Sequence, residues 1–283
     1  MMDRDGSTSG DGLVAHLLGR IAATPAGDAP FRHLFVEEVF PEPLYEALRA
    51  HMLAAKHERR TEDRHQDNPQ FLTARFNLVG CDDEVIRAFR TAFSDRQVIS
   101  ALAAKFFLDP GAVVESGLTI HDEFEYTFTR AGRFQNIHVD IPPKFLSFVF
   151  YIPEHEGLTG EQELQNATIL YGGDLEPRHG ARFRRNSVCI FAPHFQTYHG
   201  FASTMDRDVL VMFYVNPPEL DRWQRMRAEG GDVAPFEGIR ELIADKLRRH
   251  PPIELGRDEA ALERQRRACR INAPQGRVLR TPA

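Results

Sequence analysis

Short apolar runs separated by turn residues fill the middle of the chain, between about residues 108 and 216. Glycine, proline and asparagine punctuate these runs, and no helical spacing of apolar residues is interleaved with them. Such a pattern is typical of short antiparallel strands, because a strand turns alternate side chains to one face and turn residues end it. It predicts a β-sandwich or jelly roll at the centre of one α+β domain.

Helical patterns flank this region on both sides. Residues 13–23 have helical spacing, residues 31–40 alternate like a strand, and a helix is predicted to start at the prolines from 41. Residues 82–107 predict two helices that meet near Ser94, and helical spacing returns after the prolines at 217 and 218.

The domain boundaries follow from these patterns. The polar residues 1–11 are predicted to be disordered, and residues 12–283 to form a single domain. The jelly-roll core is expected at about 112–217, followed by a helical extension over 218–283. Residues 56–70 are strongly polar and predict a long exposed loop, which is a candidate lid.

The charge balance argues against a general nucleic-acid binder. The net charge is −6, from 35 basic and 41 acidic residues, whereas such binders usually carry a basic excess. The segment from Leu255 onward differs, with seven arginines and three acidic residues. A solvated tail is the main interpretation and an anion-binding arm the other. Packing of this segment on a partner subunit, which would give a homodimer, stays open.

Cysteine usage and hydropathy indicate the compartment. The three cysteines, Cys81, Cys189 and Cys269, match no zinc or redox spacing, and a sparse odd number is typical of a reducing environment. The N-terminus lacks the apolar segment of a signal peptide, and no apolar run reaches the ~18 residues of a membrane span. We therefore expect a cytoplasmic protein without a membrane partner.

A polar pair stands directly before one of the most apolar strands. His138 and Asp140 are two residues apart, so in a strand their side chains point to the same face. Pro142 and Pro143 follow and are expected to end regular strand pairing. This spacing suits two neighbouring ligands of one metal ion.

Further candidate residues of the site lie later in the β region. His199 is followed by glycine, and Arg207 comes eight residues later at the start of an apolar strand. His194 is the alternative ligand, but we favour His199. Two histidines and a carboxylate make the facial triad of non-haem Fe(II) oxygenases, with open positions opposite for co-substrate and O2. A nearby arginine can pair with a distal carboxylate in fork geometry.

In the order His138-x-Asp140, His199 and Arg207, the chain resembles the 2-oxoglutarate/Fe(II)-dependent dioxygenase superfamily, in its prolyl-hydroxylase-like branch. The strand "KFLSFVFYIP", the strand "NATILYGG" and the turn "TYHG" also resemble that branch, although Ala167 stands where the family commonly has glycine. The resemblance covers about residues 30–217. It implies a double-stranded β-helix with flanking helices.

The resemblance also implies cofactors and roles for residues. Fe(II) would be held by the triad, and the far carboxylate of 2-oxoglutarate by Arg207. Tyr151, Ser147 and Thr168 occupy positions that line the co-substrate pocket in that branch. The implied reaction is hydroxylation of an unactivated C–H bond of a small molecule, with O2 consumed and succinate and CO2 released. Some relatives replace the aspartate to admit halide, so Asp140 favours hydroxylation over halogenation.

Substrate contacts are harder to predict. The candidates near the motif are Asn136, Arg133, Tyr126 and Gln196. Three other functions remain as alternatives: a hydroxylase of proteins or peptides of the prolyl type, a cupin-like metal-binding jelly roll, and a non-catalytic β-sandwich. A cupin-like site usually draws more histidine or glutamate ligands, and no such cluster is visible. Whether the reaction is hydroxylation, desaturation, cyclisation or epimerisation is not determined by the sequence.

Overall fold

The computed structural model describes residues 10–58, 73–194, 197–230 and 235–253. These residues form helices and short strands. The helices are α1 (Gly10–Ala23), α2 (Glu42–Glu58), α3 (Glu84–Phe93), α4 (Arg96–Phe106), α5 (Pro110–Glu115), α6 (Gly160–Gln165), α7 (Pro217–Gly230) and α8 (Pro235–Arg249). The strands are β1 (His33–Glu37), β2 (Thr73–Asn77), β3 (Thr119–Ile120), β4 (Glu125–Thr129), β5 (Phe134–His138), β6 (Lys144–Tyr151), β7 (Thr168–Tyr171), β8 (Pro177–Ala181), β9 (Ser187–Phe191), β10 (His199–Ala202) and β11 (Arg207–Val215).

The strands make two antiparallel sheets. The larger sheet has the order β1-β9-β6-β11-β4-β2, and β3 pairs with the end of β11. The smaller sheet has the order β5-β10-β7-β8. Neighbours in both sheets are mostly distant in sequence, so the chain passes repeatedly between the sheets, as in a jelly roll.

The two sheets face each other across an apolar layer. Tyr151, Phe191 and Val209 from the larger sheet pack with Leu170 from the smaller one and with Phe183, which follows β8, and all five are buried. Burial of such side chains contributes roughly 1.5–3 kcal/mol each. The predicted α+β fold with a jelly-roll core is confirmed.

The helices cover the outer face of the larger sheet. Phe89 and Phe93 of α3 stack on each other with ring centroids 4.6 Å apart. Both also contact Phe150 of β6, at 5.3 and 5.5 Å. Alternate residues of β6 therefore face the helices, while those between them face the smaller sheet. Many of the chain's 21 phenylalanines lie in this core between the helices and the larger sheet.

Several elements depart from the predicted pattern. Strand β8 lies in a polar stretch and not in one of the short apolar runs. It is an edge strand with mostly exposed side chains, so apolar alternation could not reveal it. Strands β1 and β2 join the larger sheet although they precede the predicted core at 112–217. Helix α1 begins at Gly10, inside the segment 1–11 that was predicted to be disordered.

Some predictions fall on parts of the chain that the structure does not describe. Of the predicted loop 56–70, the first three residues complete α2 and the rest lie outside the described residues. The arginine-rich segment from 255 also lies outside them. In the described part of the chain, none of the helices is both long and apolar enough to cross a bilayer.

The stacked phenylalanines predict the cost of emptying this core. Replacing Phe89, which is fully buried, by alanine removes ring contacts on four sides and leaves a cavity. We expect Phe89→Ala to lower the free energy of unfolding by about 3–5 kcal/mol in urea titration. The matched control is Leu108→Ala, because Leu108 is 61% exposed, and it should change stability by no more than about 0.5 kcal/mol. Equal losses for the two variants would contradict this packing.

Candidate metal centre

The register of the smaller sheet brings the two predicted histidines together. His138, the last residue of β5, pairs directly with His199, the first residue of β10. Their ring centroids are 4.2 Å apart. Cross-strand partners share one face of a sheet, so both imidazoles point into the space between the sheets.

Asp140 completes a cluster of three ligand groups. It follows the end of β5 by two residues, in the segment that leads into β6. One ligand atom from each of His138, Asp140 and His199 lies within 4.8 Å of the others. Among the described residues, this is the one group of histidine, cysteine or acidic side chains that meets such a criterion. Two imidazoles and one carboxylate are the donor set of the facial triad.

Hydrogen bonds orient two of the three ligand groups, Asp140 and His199. Ser147 Oγ donates to Asp140 Oδ2 at 2.6 Å. His199 Nδ1 lies 3.0 Å from the Thr197 carbonyl oxygen, so it carries the proton and leaves Nε2 as the metal-binding nitrogen. Ser147 was predicted to line the co-substrate pocket; its side chain lines the cavity beside the cluster, and its hydroxyl holds the Asp140 carboxylate.

A buried lysine sets the charge of the carboxylate. Burial alone would raise the pKa of Asp140, but Lys144, at 3.5 Å, and the two histidines lower it below its usual range. Lys144 Nζ also pairs with Glu123 at 3.0 Å. Burial lowers the pKa of His199. The cluster therefore presents an ionised carboxylate and a neutral imidazole near pH 7, which are the forms that bind a metal.

Arg207 occupies a fully buried position at the start of β11. Its guanidinium donates to the Asn166 carbonyl at 3.1 Å and to Thr168 Oγ1 at 2.7 Å, and lies 4.0 Å from the centroid of the Phe201 ring. Burial lowers its pKa to about 10, so it stays charged at neutral pH. Among the described residues, no carboxylate forms an ion pair with Arg207. A buried cation without an anion is costly, which indicates that a ligand supplies the anion.

Tyr151 lies at the Arg207 end of the site, where it is hydrogen-bonded to Thr168. Its hydroxyl donates to Thr168 Oγ1 at 2.7 Å, the same oxygen that accepts from Arg207. Burial raises the pKa of Tyr151, so the hydroxyl keeps its proton. Tyr151 thus fixes the position of Thr168, and its place in the co-substrate pocket stays a prediction.

A cavity of about 110 Å³ connects the metal cluster with Arg207. It opens between the sheets and has apolar walls in the middle and polar groups at its ends. The lining residues are Arg75, Glu123, Thr127, Gln135, His138, Asp140, Lys144, Ser147, Val149, Thr168, Phe191, His199, Gly200, Phe201, Arg207, Val209, Val211 and Phe213.

Solved structures share this arrangement of sheets. A prolyl-4-hydroxylase from Pseudomonas putida is similar over 72% of this chain and 98% of its own length, with a TM-score of 0.50 and 15% identity. The chain has the double-stranded β-helix fold of the 2-oxoglutarate oxygenases. This confirms the fold that the resemblance in sequence implies. At this identity the likeness concerns the fold, and the site is argued from its own geometry.

Other enzymes with the double-stranded β-helix are more distant. A prolyl 4-hydroxylase from Phytophthora capsici covers 96% of this chain and 98% of its own, with 13% identity and a TM-score of 0.49. The non-heme alpha-ketoglutarate-dependent epimerase SnoN from nogalamycin biosynthesis covers 72% and 83%, with 10% identity and a TM-score of 0.46. The sequence itself matches no protein-family model and no curated protein.

The four residues predicted to contact the substrate do not line the cavity where the structure describes their side chains. Tyr126 is fully buried in the core under the helices, on the face of β4 opposite the cavity, so that prediction is wrong. The strand alternation instead places Thr127 in the cavity. Arg133 precedes β5 and is not part of the cavity lining. Asn136 belongs to β5, but its side chain lies outside the description, as does Gln196.

His194, the alternative ligand, lies apart from the metal cluster. It is partly buried, and its ring packs against Phe31 with centroids 6.5 Å apart. Burial, with the charge of Lys246, lowers its pKa to about 3. The structure therefore supports His199 as the ligand.

A second buried lysine, Lys246, is hydrogen-bonded to the segments beside the ligand groups. Lys246 of α8 donates to the carbonyl oxygens of Pro142, at 2.9 Å, Lys144 and Pro193, at 3.5 Å. The first two belong to the segment after Asp140, and the third to the segment that leads into β10. Sequence reasoning missed Lys246, since a lysine in a helix gives no sign of being buried. Lys144 carried a visible signal, because it is the charged start of an apolar strand.

Removing the Ser147 hydroxyl should weaken metal binding. Without its bond to Ser147, Asp140 has more freedom, and loss of such a partner typically costs 10–100-fold in metal affinity. We expect this loss for Ser147→Ala in a calorimetric titration with Fe(II) or Mn(II) under exclusion of air. Ser203→Ala is the control, because Ser203 is also buried but its hydroxyl has no partner among the described residues. Equal affinities of the two variants would refute the role of Ser147.

Burial of Lys246 predicts that stability depends on pH. Burial lowers its pKa to about 8, below the ordinary value of about 10.4. Between these values the unfolded chain binds a proton that the folded chain has released, so this residue makes stability rise with pH. From pH 7 to 10, the metal-free parent should gain on the order of 2 kcal/mol relative to Lys246→Met, measured by urea unfolding. A constant difference would contradict the lowered pKa.

Proposed function

We propose that the protein is an Fe(II)/2-oxoglutarate-dependent dioxygenase that hydroxylates a C–H bond of a small molecule. The reaction takes O2, 2-oxoglutarate and R–H to R–OH, succinate and CO2. One oxygen atom enters the product and the other enters succinate, and decarboxylation of 2-oxoglutarate supplies two electrons. Iron bound at the triad would supply the activation of O2.

The observation that carries this proposal is that one cavity joins a three-ligand metal group and a buried arginine. At one end, His138, Asp140 and His199 form a three-ligand group of the facial-triad type. At the other end, Arg207 presents a buried guanidinium that has no anionic partner among the described residues. A small dicarboxylate that chelates the metal with its oxo-acid end would bring its second carboxylate to Arg207, in the fork geometry that arginine prefers.

The surrounding residues have defined roles in this scheme. Thr168 Oγ1 already accepts from Arg207 and Tyr151, so its position would be fixed before the co-substrate carboxylate arrives. Val149, Val209 and Val211 line the stretch between the two ends and would exclude water from it. Ser147 and Thr197 hold the ligands in the metal-binding orientation.

The cavity favours a small substrate over a protein. Its volume of about 110 Å³ is below the ~300–1,000 Å³ that is typical of drug-sized ligands. A cupin-like function would require further histidine or glutamate ligands. Among the described residues the metal group has only three members, which supports the oxygenase.

Binding of 2-oxoglutarate tests the proposal before any substrate is known. With Fe(II) and without air, the parent should bind 2-oxoglutarate, and His138→Ala should lose the binding that depends on metal. Arg207→Gln should keep metal binding but weaken 2-oxoglutarate binding about 100-fold, since losing one partner of a buried charged pair costs roughly 2–5 kcal/mol. Isothermal titration calorimetry measures both constants.

Matched variants separate these effects from misfolding. His155 is exposed, so His155→Ala should behave like the parent in both titrations. Succinate as ligand provides a second control, because it has both carboxylates but lacks the oxo group that chelates the metal. The proposal fails if the parent binds metal but not 2-oxoglutarate, or if Arg207→Gln binds 2-oxoglutarate as tightly as the parent.

A further inference from the structure

The cavity has a third polar corner that the metal and the co-substrate do not use. It is formed where β4 and β2 pair, and Arg75 and Thr127 are direct cross-strand partners there. Both side chains line the cavity. Thr127 pairs on its other side with Val209 of β11, the strand that begins with Arg207. Because neighbouring strands are about 4.8 Å apart, Arg75 lies roughly 10 Å to the side of the β11 strand.

Thr127 contributes a hydroxyl with unused hydrogen-bonding capacity. Its side chain is 8% exposed, and within the described part of the chain its Oγ1 has no hydrogen-bond partner. A buried hydroxyl without a partner typically costs about 1–3 kcal/mol. Since it faces the cavity, a ligand in the cavity can satisfy it.

Arg75 and Glu125 form a loose pair beside that hydroxyl. Arg75 Nη1 and Glu125 Oε2 are 3.6 Å apart, which is longer than a hydrogen bond. Glu125 Oε2 is buried and has no hydrogen-bond partner among the described residues. The Arg75 side chain is 39% exposed and has several donors to spare. The corner therefore offers a cation, an anion and a hydroxyl, each with bonds left to make.

The charges of the cavity limit what can bind there. Lys144 and Glu123 already pair with each other at 3.0 Å. A divalent metal and a doubly charged 2-oxoglutarate would cancel, and Arg207 and Asp140 would then be matched by those two ligands. Arg75, which lines the cavity, and its neighbour Glu125, which is not part of the lining, remain as one positive and one negative charge. A purely anionic or purely cationic ligand would leave one of them without a partner, whereas a molecule with both charges satisfies both.

We infer that the substrate is a small zwitterion of the amino-acid type. Its carboxylate would bind Arg75 in place of Glu125, its ammonium group would bind Glu125, and Thr127 would complete the hydrogen bonds between them. The remainder of the molecule then extends into the cavity toward the metal cluster. This inference rests on the proposed function, since it names the substrate class for the same site.

A panel of matched compounds tests the charge requirement. It consists of the free proteinogenic amino acids, each beside the amine that lacks its carboxylate and the acid that lacks its ammonium group. Binding to the parent protein with Mn(II) and 2-oxoglutarate is measured by calorimetry, and succinate formation with Fe(II) in air. At least one amino acid should bind tenfold or more tightly than both of its analogues, and should raise the rate of succinate formation.

Variants of Arg75 and Thr127 test whether that compound binds at this corner of the cavity. Arg75→Gln and Thr127→Val should each weaken its binding at least tenfold and leave the dissociation constant of 2-oxoglutarate unchanged. Unchanged co-substrate binding also shows that these variants fold. Arg75→Lys should recover part of the affinity, because it restores the charge without the fork. Arg87→Gln is the control, since Arg87 lies exposed on α3, and it should match the parent.

The outcomes for this inference and for the proposed function differ. If the parent binds 2-oxoglutarate but binds no amino acid more tightly than its two analogues, the zwitterion inference is wrong while the oxygenase proposal stands. The same holds if a proline-containing peptide with blocked ends binds more tightly than every free amino acid. If the parent does not bind 2-oxoglutarate in the presence of metal, the proposed function fails, and the inference fails with it.

Discussion

The pairing of His138 with His199 in the smaller sheet is the constraint on which the site depends. A shift of the β5–β10 register by one residue would turn either imidazole to the other face of the sheet. Asp140 can then reach the same point only because β5 ends at His138 and the chain turns toward β6. The larger sheet fixes the carboxylate through Ser147 of β6. The metal group is thus assembled from both sheets, and the apolar layer between them determines its geometry.

Charged groups around this layer explain why a polar site can exist in a buried place. Lys144 keeps Asp140 ionised, and Lys246 donates hydrogen bonds to three backbone carbonyl oxygens near the ligands. Burying these lysines costs free energy unless their bonds are made, so the segments they hold are defined in position. Arg207 differs, because its charge is buried without an anion from the described residues. The two lysines therefore have structural roles, whereas Arg207 is the cation that a ligand can pair with.

The sequence predicted the parts of the site that follow from alternation along a strand. His138 and Asp140 were identified as a polar pair directly before an apolar strand, and His199 and Arg207 by their order and spacing after it, which resemble the family's motif. Tyr126 was misplaced by one residue of alternation, since both faces of β4 are buried and its pattern does not tell them apart. Arg75 could not be found, because its strand was not predicted. The partners of Ser147 and Lys246 are distant in sequence, so only the fold reveals them.

The most direct test of the account is a crystal structure of the protein with Fe(II) and 2-oxoglutarate, grown without air. The account predicts one metal ion bound by His138, Asp140 and His199. It also predicts that 2-oxoglutarate chelates this ion and that its far carboxylate forms two hydrogen bonds with Arg207. A metal ion bound elsewhere, or a 2-oxoglutarate carboxylate that does not contact Arg207, would contradict it.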